Sequence, residues 1–295
     1  MAIKRRYVWT LCLAPVLLLG IWFKPLSLAY HWVSLTQLHQ SPDLPSLHLD
    51  QYQVSIEAKP LTGIQQNLSG LTYNDHTNTL MGVTNRPTQA VEMSLAGDVL
   101  RIIPLHNASD IEGITHIQGS EYVVVSERKN KAYWIDITPD TQSVNVSHAT
   151  KHPMNMSAFD NLGLEGVSWD DSSQTLYVVQ EKWPMSIMTL NQNPDIGQAQ
   201  WRPQYSTALF MSDLSSISIS SLTSSLLLLS DESAVIAEYS MTGELLGMLP
   251  LWRGQHGLQH KVPQPEGVAL SPEGDIFIVS EPNLFYRFER KGAAG

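Results

Sequence analysis

"GLEGVSWDDSSQTLYVVQEK", residues 163–182, is the stretch whose repetition along the chain decides the fold. A Glu-Gly pair opens a strand-like segment, a turn rich in Asp and Ser follows, and a second, more apolar segment ends on Glu181. Four other stretches match its beginning: "NLSGLTY" (67–73), "DIEGITH" (110–116), "DLSSISI" (213–219) and "QPEGVAL" (264–270). Successive copies are about 50 residues apart, a period typical of propeller blades or another array of repeats.

Two polar positions recur in every copy. We call the third residue of each stretch the marker position and the residue that ends the second segment the partner position. The marker position is occupied by Ser69, Glu112, Glu165, Ser215 and Glu266, and the partner position by Asn85, Glu127, Glu181, Asp231 and Glu281. Residues equidistant from the turn of an antiparallel hairpin lie across from each other. The pattern therefore predicts that both positions meet at the same end of each hairpin.

The repeat predicts an all-β fold, a five-bladed β-propeller. Further strand-like segments follow each hairpin, and four antiparallel strands in about 50 residues make one propeller blade. The fifth copy lacks an outer strand, which "QYQVSIEA" (51–58) can supply from the other end of the domain. Closing the ring with this N-terminal strand removes the exposed edges that an open array would leave. An open β-sandwich is the structural alternative.

The N-terminus carries a basic cluster, Lys4 to Arg6, followed by an uncharged run over residues 7–23. Such a segment is a transmembrane helix or a signal peptide, and a buried helix of a soluble protein is a third interpretation. Lys24 and the aromatic residues before it favour an uncleaved anchor. We therefore expect a single-pass membrane protein with an exported propeller, or else a protein that is released after cleavage. The predicted domains are the anchor or signal segment (1–33), a linker (34–50) and the propeller (51–295).

The charge balance limits the partners. Four of the 18 basic residues but only one of the 28 acidic residues precede position 46, so 14 basic and 27 acidic residues remain. A surface of this sign repels phosphate backbones and attracts cations. Nucleic acid is therefore not an expected partner. The only cysteine, Cys12, lies in the apolar run, so the exported part has no disulfide.

The marker and partner positions are candidate metal ligands. Propeller blades turn their first strands toward a central axis, so the carboxylates should gather near one mouth of the channel. So many like charges need protonation or a bound cation to share a desolvated site. Donors that are all oxygen favour Ca²⁺ over Mg²⁺. The predicted set is Glu112, Glu165, Glu266, Glu127, Glu181, Asp231 and Glu281.

A structural role competes with ion binding at these positions. A carboxylate at a hairpin end can accept backbone N–H bonds from the neighbouring blade and so tie the ring together. The glycine after each marker glutamate would let a backbone carbonyl or a ligand come close. Trp169 and Trp183 flank the third hairpin and could line a mouth, although blade packing is the simpler use of a tryptophan. The sequence contains no G-x-S-x-G elbow, P-loop or dinucleotide fingerprint, and it identifies no catalytic residue.

The motifs "DIEGIT", "GLEGVSW" and "PEGVALSPEGDIFIVSEPN", with the hairpin endings, resemble the SdiA-regulated (YjiK-like) family of bacterial proteins. That family is itself distantly similar to NHL-repeat and gluconolactonase-type propellers. The resemblance implies a membrane-anchored, five-bladed propeller with a calcium site and no established enzymatic activity. For a bacterial protein, the expected location is the inner membrane, with a single pass and the propeller on the periplasmic side, or the periplasm itself after cleavage. Ser69, Asn85 and Ser215 depart from the acidic pattern.

Two functions are consistent with these features. The first is a binding or interaction module that takes a protein or small-molecule ligand at the propeller mouth and contacts the membrane through its anchor. The second is a calcium-assisted hydrolase of a lactone or phosphate ester, with a mouth carboxylate as base.

Overall fold

The computed structural model describes residues 29, 44–153, 163–181, 185–191, 201–204 and 209–291. Within this part the chain forms 21 strands and two short 3-10 helices, η1 (Leu49–Gln51) and η2 (Val146–His148). The predicted anchor, residues 1–33, lies outside the described residues except for position 29. No helix among the residues that are described is long and apolar enough to cross a bilayer.

The strands form five sheets, one for each predicted blade. Blade 1 contains β2 (Leu68–Asn74), β3 (Thr79–Asn85), β4 (Thr88–Met93) and β5 (Val99–His106). Blade 2 contains β6 (Ile111–Gln118), β7 (Glu121–Ser126), β8 (Lys131–Asp136) and β10 (Thr150–Pro153). Blade 3 contains β11 (Leu164–Asp170), β12 (Thr175–Gln180), β13 (Ser186–Asn191) and β14 (Trp201–Gln204). Blade 4 contains β15 (Ser216–Ser220), β16 (Ser225–Ser230), β17 (Val235–Ser240) and β18 (Leu245–Pro250).

Blade 5 combines the two ends of the domain. It contains β19 (Pro265–Leu270), β20 (Ile276–Ser280) and β21 (Leu284–Arg290), with β1 (Tyr52–Pro60) as its outer strand. β1 and β21 run antiparallel, from the pair Tyr52 and Arg290 to the pair Pro60 and Leu284. The predicted closure by an N-terminal strand, and with it the five-bladed propeller, is confirmed. A two-residue strand, β9 (Val144–Asn145), also pairs in parallel with β5 and links blade 2 to blade 1.

The first strand of each blade contacts the first strands of both neighbouring blades, which closes the ring around the axis. The second strands are buried on both faces; all six residues of β16 are buried, for example. A strand that lies inside a blade is covered by the blade on each side, so its residues need not alternate with polar ones. This explains the apolar runs that follow each turn.

The end of the predicted linker is part of the packed domain. Glu238 of β17 is fully buried, and its carboxylate accepts hydrogen bonds from the Leu47 backbone N–H at 3.0 Å and from the Ser46 hydroxyl at 2.8 Å. Leu47 and Leu49 are buried in the core between blades 4 and 5, and Arg290 donates to the Leu47 carbonyl. Residues 46–50, at the end of the predicted linker (34–50), are therefore fastened to the propeller.

Candidate functional site

The three marker glutamates lie at β-bulges. Ile111 is opposite Ser126 and Gly113 is opposite Val125, which leaves Glu112 without a partner in the ladder. The β11–β12 and β19–β20 pairs are interrupted at the same place. Because a bulge adds one residue to one strand and releases it from the ladder, the carboxylate can face the axis.

The register between marker and partner positions differs from the prediction. The backbone N–H of each partner glutamate donates to a carbonyl two residues before the marker. Glu281, for example, donates to Gln264 at 3.0 Å. The two positions do meet at one end of each hairpin, as predicted, but the bulge displaces them from direct opposition.

The glycine after each marker glutamate makes room for the neighbouring blade. A Cβ atom on Gly113 would lie 2.6 Å from the carbonyl oxygen of Glu165, and one on Gly166 would lie 2.7 Å from the backbone nitrogen of Ile217. One on Gly267 would lie 2.8 Å from the carbonyl carbon of Gly70. The expectation that a backbone carbonyl comes close is thus correct. The first strands are packed too tightly for any side chain at these places.

The marker residues surround a cavity of about 140 Å³ at one end of the channel, which we call the acidic mouth. Six of the seven predicted carboxylates line it, and Glu127 does not. Asp213 is an additional carboxylate that was not among the predicted ligands. The lining residues are Ser69, Glu112, Glu165, Glu181, Asp213, Ser215, Asp231, Glu266 and Glu281.

Glu112 is held in the acidic mouth by two side chains of blade 1. Its side chain is buried and accepts hydrogen bonds from the Ser69 hydroxyl at 2.9 Å and the Asn85 amide at 2.9 Å. Burial raises the pKa of Glu112 to about 7, against the opposing effect of these two hydrogen bonds. Glu127 and Asp110 lie near enough for their charges to raise it further. A change of pH near neutrality, or a cation that enters the acidic mouth, can therefore change the charge of the Glu112 carboxyl group.

Glu165 and Glu266 are in a different situation, since no hydrogen bond from the described part of the chain lowers their pKa values. Burial raises the pKa of Glu266 to about 9, and the neighbouring Asp231 is the next cause. Burial also raises the pKa of Glu165 well above its usual range, with Glu112 as the next cause. Repulsion among the carboxylates and loss of water act in the same direction at both sites.

Asp213 enters the acidic mouth because its side chain replaces a backbone acceptor. In other blades the residue two before the marker accepts the partner N–H through its carbonyl, whereas Asp213 accepts the Asp231 N–H through its carboxylate at 3.2 Å. It is buried and also accepts from the Ser230 hydroxyl. Burial raises the pKa of Asp231, and the charge of Asp213 adds to this effect. The sequence does contain a sign of this role, since Asp213 is the first residue of the repeated stretch "DLSSISI".

Hydroxyl groups tie the blades together. Three residues after the marker, Thr115 accepts the backbone N–H of Trp169 in the next blade at 3.0 Å. Thr72 and Ser168 accept from their next blades in the same way. In these three pairs a hydroxyl oxygen accepts the backbone N–H of the neighbouring blade, which is the structural role that competes with ion binding at the predicted carboxylates.

The two serine markers act as donors instead. Ser69 donates to the carbonyl of Glu112 at 3.1 Å, and Ser215 donates to the carbonyl of Pro265 at 2.8 Å. The serines at the two blades that depart from the acidic pattern therefore fasten the first strand of the next blade.

The donor set of the acidic mouth has the chemistry that a hard cation requires, since it consists of carboxylate and hydroxyl oxygens. Its geometry does not form a coordination shell, however. Among the described residues, no group of three or more His, Cys, Asp or Glu side chains is close enough to hold a metal ion. The arrangement thus concentrates negative charge without converging on one point.

Comparisons with known proteins agree with the fold. The family model described as SdiA-regulated matches residues 45–289. Among solved structures, the luciferin-regenerating enzyme has a TM-score of 0.50 at 13% identity, covering 78% of this chain and 94% of that one. A gluconolactonase from Xanthomonas campestris has a TM-score of 0.47 at 12% identity, covering 86% and 99%. A streptogramin B lyase has a TM-score of 0.47 at 9% identity, covering 81% and 98%. At 13% identity the likeness to the luciferin-regenerating enzyme concerns the fold alone.

Proposed function

The chain belongs to the SdiA-regulated family, and we propose that it works as a binding module whose acidic mouth takes up a cation, with calcium as the preferred ion. The observation that carries the proposal is the cavity lined by seven carboxylates. Burial and mutual repulsion raise the pKa values of Glu112, Glu165 and Glu266 there. A cation entering the cavity relieves the cost of ionising these groups, and the same interaction provides its binding energy.

Calcium is preferred to magnesium for a geometric reason. Magnesium requires a near-ideal octahedron of ligands, whereas calcium accepts six to eight oxygens in irregular arrangements. The lining carboxylates come from four different blades and do not converge on one point. An ion that tolerates irregular and partly hydrated coordination suits such a ring best. Bound there, calcium bridges the blades or holds a protein or small-molecule ligand at the mouth.

The test is a calcium measurement on the purified full chain. We expect calcium to co-purify, and we expect EDTA to lower the melting temperature and calcium to restore it more effectively than magnesium. Glu165→Gln should weaken calcium binding by at least about tenfold, because it removes one charge from a desolvated site. Asp140→Asn, an exposed carboxylate outside the acidic mouth, is the matched control. If no calcium co-purifies and EDTA leaves the melting temperature unchanged, the ion hypothesis is refuted.

The membrane association is a separate part of the proposal. We propose that residues 1–33 anchor the propeller on the periplasmic side of a bacterial inner membrane. The basic cluster before the apolar run supports this orientation. Removal of residues 1–33 should transfer the protein from a carbonate-washed membrane fraction to the soluble fraction. Cleavage and release to the periplasm is the alternative, and a shortened mature N-terminus in the soluble fraction would establish it.

Calcium-assisted hydrolysis of a lactone or phosphate ester remains the alternative function. It would require the ion to polarise the substrate while a nearby carboxylate acts as base. Glu112 is the candidate base, since a group with a pKa of about 7 is suited to proton transfer at neutral pH. Turnover of a lactone panel that depends on calcium and is abolished in Glu112→Gln would favour this alternative over a binding role.

A further inference from the structure

A second cavity, of about 460 Å³, lies at the opposite end of the channel from the acidic mouth. The acidic mouth is formed where the first strands begin, whereas this cavity is lined by the residues where those strands end and by the turns that follow. Its volume is in the range of roughly 300 to 1,000 Å³ typical of small-molecule sites. We call it the far mouth.

The same repeat that places carboxylates at the acidic mouth places large side chains at the far mouth. The residue four positions after each marker lines the cavity in every blade. These residues are Tyr73, His116, Trp169, Ile219 and Leu270. Four of the five are only partly buried, so they offer apolar and aromatic surface to the cavity. The arrangement is a five-membered ring of mostly apolar groups.

The rim of the far mouth is negatively charged. Among the described residues, the lining includes Asp75, Asp170 and Asp171 but no lysine or arginine. Asp75 is largely exposed, with 74% of its side chain accessible, and one of its oxygens is 3.4 Å from Nδ1 of His116. Glu273 is exposed and near enough to Tyr73 to act on the phenol electrostatically. An anion is therefore repelled here, whereas a cation is attracted by the acidic rim and can also interact with the aromatic side chains of the lining.

We propose that the far mouth is a binding site for a small organic cation, an ammonium group attached to an apolar body. The apolar body lies against the ring, and the ammonium group lies near Asp75 and the face of Tyr73. This site is distinct from the acidic mouth, because the two cavities have no described lining residue in common. It takes a different ligand from the metal ion considered for the acidic mouth.

The test is calorimetric titration of the full chain with three probes of similar size. The probes are 2-phenylethylammonium, its neutral analogue 2-phenylethanol, and the anion phenylacetate. We expect the ammonium to bind at least about tenfold more tightly than the alcohol, and phenylacetate not to bind. If the alcohol binds as tightly as the ammonium, or if none of the probes binds, the proposal is wrong.

Variants locate the bound cation. Asp75→Asn and Tyr73→Leu should each weaken ammonium binding several-fold, and Tyr73→Phe, which keeps the ring, should retain it. Asp140→Asn is the control for charge. Glu165→Gln, in the acidic mouth, should leave the affinity unchanged. Loss of binding in Glu165→Gln with retention in Asp75→Asn would place the cation at the wrong end of the channel and overturn the proposal.

Discussion

Replacement of Glu112 by glutamine should stabilise the protein at alkaline pH and leave it nearly unchanged at acidic pH. Glutamine keeps an acceptor for the Asn85 amide and can donate to the Ser69 hydroxyl, so the hydrogen bonds of the wild type are preserved in number. What it removes is the charge. A carboxyl whose pKa is higher in the folded state than in the unfolded state reduces stability as the pH rises between the two values.

The size of the effect follows from the pKa. Each unit is worth about 1.4 kcal/mol, so the ionised folded state loses about 3 kcal/mol when the pKa rises from 4.5 to about 7. The loss is absent below the unfolded pKa, develops between the two values, and is complete above the folded one. Glu112→Gln should therefore gain up to about 3 kcal/mol over the wild type near pH 8.5 and almost nothing near pH 4.

Urea denaturation followed by tryptophan fluorescence measures this difference. The titrations are run in EDTA at several pH values on Glu112→Gln and on the control Asp140→Asn. Excess calcium should then remove most of the variant's advantage at high pH, because an ion at the acidic mouth compensates the wild-type charge. An equal or lower stability of Glu112→Gln near pH 8.5 in EDTA would refute the reasoning.

Three further substitutions test the contacts between blades and the attachment of residues 46–50 to the propeller. Gly113→Ala should cost about 3 kcal/mol, because its Cβ would lie 2.6 Å from the carbonyl oxygen of Glu165 and the backbone would have to move. Thr115→Val should lower the free energy of unfolding by about 2 kcal/mol, because the backbone N–H of Trp169 loses its acceptor. Glu238→Ala should lower stability by about 2 kcal/mol and expose residues 46–50 to proteolysis. Chemical denaturation measures all three, and limited proteolysis with mass spectrometry measures the last.

Matched substitutions give these tests their controls. The Cβ atom added in Gly82→Ala would lie 3.1 Å from the flexible end of Met93 and 3.3 Å from the carbonyl oxygen of Gly70. Its cost in stability should therefore be much smaller than that of Gly113→Ala. Thr77→Val changes an exposed threonine and should be nearly neutral. Equal losses for the two glycine variants would contradict the close-packing argument. An unchanged cleavage pattern in Glu238→Ala would mean that the buried carboxylate does not hold the N-terminal segment.

Most of the fold could be predicted from the sequence because a repeat reports local structure directly. Each copy specifies a hairpin through its turn and its apolar segments, and the missing outer strand of the last copy identified residues 51–58 as the closing strand. The bulges were not predicted, because the equal spacing of marker and partner does not reveal an extra residue in the ladder. The inter-blade hydroxyls were present in the aligned stretches, at Thr115 for example, but their role depends on the neighbouring blade.

The sequence by itself determined the number of blades, the closure of the ring, and the end of each hairpin at which the acidic side chains gather. All of these follow from periodicity and turn chemistry, which act over a few residues or one repeat. Only the tertiary structure decided which carboxylates share a cavity, admitting Asp213 and leaving Glu127 outside it. It also revealed the five-membered, mostly apolar ring at the far mouth, to which Trp169 belongs. These features arise when strands about 50 residues apart in sequence are brought into contact, because burial and repulsion depend on distances in space that a linear pattern does not contain.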